Sequence, residues 1–226
     1  MSNRRGRAGD GRDDLRAKLS GGIVAAWLFG LLPLALAGSA ARGADALSSA
    51  FPLSFDSEWI RLSIAGDSLE VRGTYWLTCR RPTSAPTPLF YPFPRDSLLG
   101  GARMVSLMAC VDRGESAPAT WKEIPGIWGV RWVVSPCSGD TIRLDAVYRQ
   151  RIRTNYARYI VTTTQKWDRP LRRARFEIRL PAGAEPEEFS FPFTLKEAGG
   201  DRYYGFEAEG FFPDHDIVVR WKPPGR

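Results

Sequence analysis

From about residue 56 onward, apolar and polar side chains alternate with a period of two, and no stretch of a dozen residues keeps helical spacing. Between Leu69 and Cys79 the odd positions hold Leu69, Val71, Gly73, Tyr75, Leu77 and Cys79, while Glu70, Arg72, Thr74, Trp76 and Thr78 take the even ones. Such a segment separates a core face from a water face only when it is extended, because successive side chains of a strand point to opposite sides. The pattern recurs in Ile142, Leu144, Ala146 and Tyr148, in Ala174, Phe176, Ile178 and Leu180, and in the apolar row Phe189, Phe191, Phe193 and Leu195. Turn residues separate the runs, among them Gly66-Asp67-Ser68, Ser138-Gly139-Asp140, Pro181-Ala182-Gly183 and Gly199-Gly200-Asp201.

Strands are expected near residues 58–65, 69–79, 88–93, 103–111, 119–124, 127–135, 140–153, 156–165, 172–180, 187–195, 202–209 and 216–222. The expected fold class is therefore all-β, an antiparallel β-sandwich, either immunoglobulin-like or enlarged, since this many strands exceeds the usual seven to nine of one immunoglobulin-like domain. Residues 47–226 are read as one domain, because no Pro/Gly/Ser-rich linker interrupts the middle; a subdivision near residues 140–155 is the alternative. The segment Arg81-Pro82-Thr83-Ser84-Ala85-Pro86-Thr87-Pro88 has too few backbone donors and too many fixed φ angles for an interior strand, and is expected to be a loop or an edge.

Residues 1–46 read differently. A basic flank containing Arg4, Arg5, Arg7, Arg12, Arg16 and Lys18 precedes the apolar run Ile23–Ala37, which ends in Gly38, Ser39, Ala40 and Ala41. This order is that of a secretory signal. The competing reading is an uncleaved membrane anchor over residues 19–41, long enough to cross an apolar layer of roughly 30 Å. Either way the remainder is expected to be exported, periplasmic or extracellular, with membrane contact only through the N-terminal segment.

The charge balance changes once that leader is set aside. The net charge of +7 falls to +3, because residues 1–42 carry seven basic and three acidic side chains. A nucleic-acid binder keeps its basic excess in the folded domain, so no nucleic-acid partner is read from charge. Cys79, Cys110 and Cys137 all lie in the exported part, where a disulfide persists, and an odd count leaves one thiol over. Strands near 103–111, 119–124 and 127–135, read as a meander, place Cys110 and Cys137 at one end, so that pair is the expected bridge, contributing about 3.5 kcal/mol by chain entropy.

Catalytic chemistry finds few footholds. His215 is the one histidine, so a Ser-His or Cys-His mechanism must pass through it, yet it stands in the turn-like Phe212-Pro213-Asp214-His215-Asp216 and no Gly-x-Ser-x-Gly accompanies it. A single histidine and three separated cysteines do not match zinc spacing, and no acidic calcium loop is present. No catalytic, metal or cofactor residues are therefore assigned. Binding is the better reading. Trp76 stands on the polar side of its strand, and Arg149, Arg151 and Arg153 share one strand face, a surface for a glycan or an anionic layer unless neighbouring carboxylates cancel it. Trp128 and Trp132 share their face with Val130 and Val134 and are expected in the core. The leading expectation is a non-enzymatic module of the cell envelope that contacts another envelope protein. A carbohydrate or anionic-surface binder comes second, and a secreted hydrolase third.

Overall fold

The computed structural model describes residues 51–223 apart from 113, 136 and 168. The expected leader, residues 1–46, lies outside them. In chain order the strands are β1 (Leu53–Ala65), β2 (Ser68–Cys79), β3 (Thr87–Pro92), β4 (Leu99–Val111), β5 (Ala117–Pro118), β6 (Trp121–Glu123) and β7 (Gly129–Val134). They continue as β8 (Thr141–Ile152), β9 (Tyr156–Tyr159), β10 (Leu171–Arg179), β11 (Glu185–Phe189), β12 (Thr194–Ala198), β13 (Asp201–Phe211) and β14 (Ile217–Lys222). A single 3-10 turn of helix, Thr162–Trp167, interrupts them. Among the described residues no helix is long and apolar enough to cross a membrane.

Eight strands form one sheet in the order β12-β13-β10-β1-β2-β8-β4-β5, and two three-stranded sheets run β11-β14-β9 and β3-β7-β6. Alternation explains the layering. In the large sheet Ile60, Leu62, Leu69, Val71, Leu144, Tyr148, Phe176 and Ile178 point to one face and are buried. Opposite them the small sheets present Leu89, Tyr91, Val130 and Trp132, and Tyr159, Ile217, Val219 and Trp221, all in one continuous core. The β1–β2 hairpin closes over two residues, with Ala65 paired to Ser68 and Gly66 at φ +58, a left-handed position that favours glycine.

Three expectations need correction. Pairing is not purely antiparallel: β1 runs parallel to β10, with Ile60 opposite Phe176, so the large sheet is mixed. The meander is also not one sheet, because β4 pairs directly with β8 while β6 and β7 leave to join β3. Trp132 and Val130 of β7 are apolar knobs that need a partner face, and Leu89 and Tyr91 of β3 stand beside them in register. Finally, the disulfide is Cys79–Cys137, not Cys110–Cys137. With β7 in a different sheet from β4, its exit brings Cys137 to the end of β2, where Cys79 N–H donates to Asp140 O at 2.9 Å and Gly139 N–H to Cys79 O at 3.0 Å. Cys110 is buried and unbridged on β4, its thiol donating to Gly114 O at 2.9 Å.

The strand expected over 156–165 ends at Tyr159 and gives way to the 3-10 turn, and the one expected over 187–195 breaks between Phe189 and Thr194, around Pro192. A proline has no N–H for a ladder, so the break falls where the sequence withholds a donor.

Candidate functional site

The large sheet carries the sequence-predicted binding residues on its outer face. Trp76 is half-buried on β2, opposite Arg143 of β8 and Ser57 of β1. Arg149 and Arg151 project from β8 on the same side, but Arg149 lies six residues beyond Arg143, a separation of roughly 20 Å at the rise of a strand. Trp76 and the arginine row are thus not one site. Nor is the row bare cation. Arg149 donates to Glu70 at 2.8 Å, Arg151 to Asp67 at 3.1 Å, and Glu70 also accepts from Arg72 at 2.7 Å. Partial burial pushes the Glu70 pKa up, but the two guanidiniums outweigh it and hold the carboxyl below its ordinary value. Arg153 lies just past β8, exposed, with its backbone N–H on Leu98 O at 3.2 Å.

His215 is exposed and held at both ring nitrogens. Nε2 is 2.9 Å from Ser190 O, Nδ1 is 2.6 Å from Asp214 Oδ1, and the ring stacks on Phe191 with centroids 4.4 Å apart. A carbonyl and a carboxylate both accept, so both nitrogens donate and the imidazolium is favoured: the Ser190 carbonyl, then Asp214, raise the His215 pKa. A ring in this state has no lone pair to offer a nucleophile. Its neighbour Asp216 is buried and structural. Its carboxylate accepts from Arg158 at 2.6 Å, from the Val161 and Thr162 amides at 3.1 Å, and from Thr162 Oγ1 at 2.8 Å, tying β14 to β9 and to the start of the 3-10 turn.

The core holds a polar cluster that alternation does not advertise. Glu58 occupies an inward position of β1, opposite Tyr75, at 4% exposure, and its Oε1 has no hydrogen-bond partner among the described residues. Burial raises its pKa to about 8. Nearby, the Tyr75 hydroxyl is 2.6 Å from that of Tyr91 and 2.9 Å from that of Tyr159, which joins the large sheet to both small ones. Space for the Tyr75 ring exists because Gly73 has no side chain: a Cβ there would lie 2.2 Å from the Tyr75 hydroxyl. Among the described residues no three His, Cys, Asp or Glu side chains converge as a metal site.

A cluster of partly covered aromatic rings lies at the β12 end of the large sheet. Tyr204 and Phe206 of β13 sit on the same face as Phe176, with Phe206 and Phe176 in register and Leu195 of β12 opposite Tyr204. Phe189, Phe191 and Phe193 pack around them, Phe189 5.1 Å from Tyr204 and Phe191 5.3 Å from Phe206 by ring centroids. These rings are only partly covered, every residue of β12 is exposed, and Leu195 remains 45% exposed. The sequence announced this surface as an apolar row at period two. Only the break at residues 190–193 turned a single expected strand into a cluster of rings at an edge.

No protein-family model matches the chain, and no curated protein matches it. Among solved structures it is similar to a Legionella pneumophila protein provisionally named as nutrient-binding, at TM-score 0.53 and 15% identity over 75% of this chain and 67% of that one. At that identity the likeness shows the fold alone. It is also similar to an M1 zinc metallopeptidase from Deinococcus radiodurans, at TM-score 0.42 and 15% identity, over 75% of this chain and 42% of that one. A provisionally named protease from Parabacteroides distasonis gives TM-score 0.43 and 13% identity, over 76% and 41%. The chain thus spans less than half the length of either peptidase-like protein.

Proposed function

We propose that this chain is a non-catalytic, enlarged β-sandwich module of the cell envelope that docks another protein through the aromatic edge built from Phe189, Phe191, Phe193, Tyr204 and Phe206. The observation that carries this reading is the exposure of Leu195 beside those half-covered rings, on the edge strand β12, every residue of which is exposed. Contiguous apolar surface of this kind marks interaction sites, and an open edge strand accepts a further strand. The commitment of both His215 nitrogens supports a binding role over a catalytic one. The pairing of Arg149 and Arg151 with carboxylates weighs against a broad anionic-surface contact through that row.

Photo-crosslinking from Leu195 and Phe193 in intact cells tests it. A discrete protein adduct, lost on Leu195→Asp, is expected. Adducts to glycan or lipid, or none at either position while Trp76 captures one, would replace the reading with the carbohydrate or anionic-surface alternative.

A further inference from the structure

A second surface feature is independent of the aromatic edge. At the far end of β1 and β2 a cleft of about 240 Å³ is lined by Asp56, Thr78, Arg80, Arg169, Pro170 and Arg172. Three arginines and one carboxylate line it, and that carboxylate is already filled. Asp56 Oδ1 accepts from Ser54 at 2.8 Å and from Arg169 at 2.9 Å, while Oδ2 accepts from Thr78 Oγ1. Arg80 and Arg172 make no ion pair among the described residues. Their guanidiniums therefore supply uncompensated positive charge to a concave site, where a fixed fork of donors binds an oxyanion better than on a flat surface.

Both chain segments that bring the arginines together are anchored. Arg80 follows the bridged Cys79, and its own N–H donates to Pro52 O at 2.8 Å. Arg169 and Arg172 follow the 3-10 turn, whose Trp167 packs on Phe51 and Phe55 with ring centroids 5.3 and 5.7 Å apart. The backbone that carries the arginines is thus fixed before any ligand arrives. We infer that this cleft binds a phosphate-type oxyanion, either free or carried at the end of a lipid headgroup. The volume is compatible with the class: about 240 Å³ has room for a small tetrahedral anion with a few waters at roughly 30 Å³ of liquid per water. Charge points the same way: among the described lining residues three arginines less Asp56 leave a formal +2, which meets a phosphate monoester dianion, and several forks suit several oxygens where a lone carboxylate would occupy one.

The test is isothermal titration of the full-length protein with inorganic phosphate at low ionic strength, together with co-sedimentation on phosphatidylcholine vesicles with and without phosphatidic acid. Saturable phosphate binding is expected, weakened about tenfold or more by Arg80→Ala or Arg172→Ala and unchanged by Arg149→Ala, whose guanidinium is spent on Glu70. If phosphatidic acid vesicles bind with that same dependence and free phosphate does not, the headgroup is the source and the assignment stands. Binding of neither probe, or binding equally strong in the Arg80→Ala/Arg172→Ala variant with its near-ultraviolet circular dichroism intact, overturns it. Both arginines are exposed, so their loss is not expected to unfold the chain.

Discussion

Glu58 provides the sharpest check on how this core is built. Its carboxyl is 4% exposed among tyrosines, and desolvation raises its pKa from 4.5 to about 8. A raised carboxyl pKa means that the folded state keeps a proton the unfolded chain releases. The associated stability is complete below about pH 4.5 and drains away as pH climbs to about 8. Each unit of difference is worth about 1.4 kcal/mol, so this one group is expected to cost on the order of 5 kcal/mol across that window. Glu58→Gln keeps the shape and removes the ionisation. Urea unfolding of both proteins, followed by circular dichroism at intervals from pH 5 to 9, separates Glu58 from every other titrating group, since those cancel in the difference. The variant should gain on the parent steadily with pH, by several kcal/mol in all, and the gain should level off above pH 8. Unfolding midpoints that stay parallel across the range would refute a buried neutral carboxyl at this position.

Three further outcomes are expected. Cysteine-to-serine replacement at position 79 or 137 opens a loop of 58 residues and should cost about 4 kcal/mol by denaturant unfolding, whereas Cys110→Ser should cost much less; peptide mapping should recover the Cys79–Cys137 link. Asp216→Ala strips the acceptor from Arg158, Thr162 and the buried Val161 amide and leaves Arg158 only the longer contact with Asp96 at 4.0 Å, a loss of about 2 to 4 kcal/mol readable as a lower urea midpoint. His215 should titrate above its ordinary value by NMR and fall back toward it in Asp214→Asn; an unchanged titration would show that the Asp214 contact does not form in solution.

The candidate sites were unevenly legible. Trp76 was readable as a residue on the water-facing side of its strand, and Trp132 as a core residue, because each follows from parity within one segment. The neutralisation of Arg149 and Arg151 was readable only as an alternative, since it depends on β2 lying beside β8 in a register that sets Glu70 opposite Arg149. Glu58 was missed. Parity with Ile60, Leu62 and Ile64 places it on the inward face, but at the first position of the strand expected over 58–65 a charged residue reads as a strand end, and only the tertiary packing buries it. The Asp56–Arg169 pair and the arginine cleft were missed because their members lie far apart in the chain, 113 positions between Asp56 and Arg169.

Local alternation of oily and polar side chains was enough to establish that this chain is built from short extended segments, because a strand's two-residue repeat is a property of each segment alone. Which segments become neighbours is not. The parallel contact of β1 with β10, the departure of β7 to a separate sheet and the bridge from Cys79 to Cys137 arise from burying many apolar faces at once in a single interior. That is a collective minimisation over the whole chain, and it leaves no signature within any one of its strands.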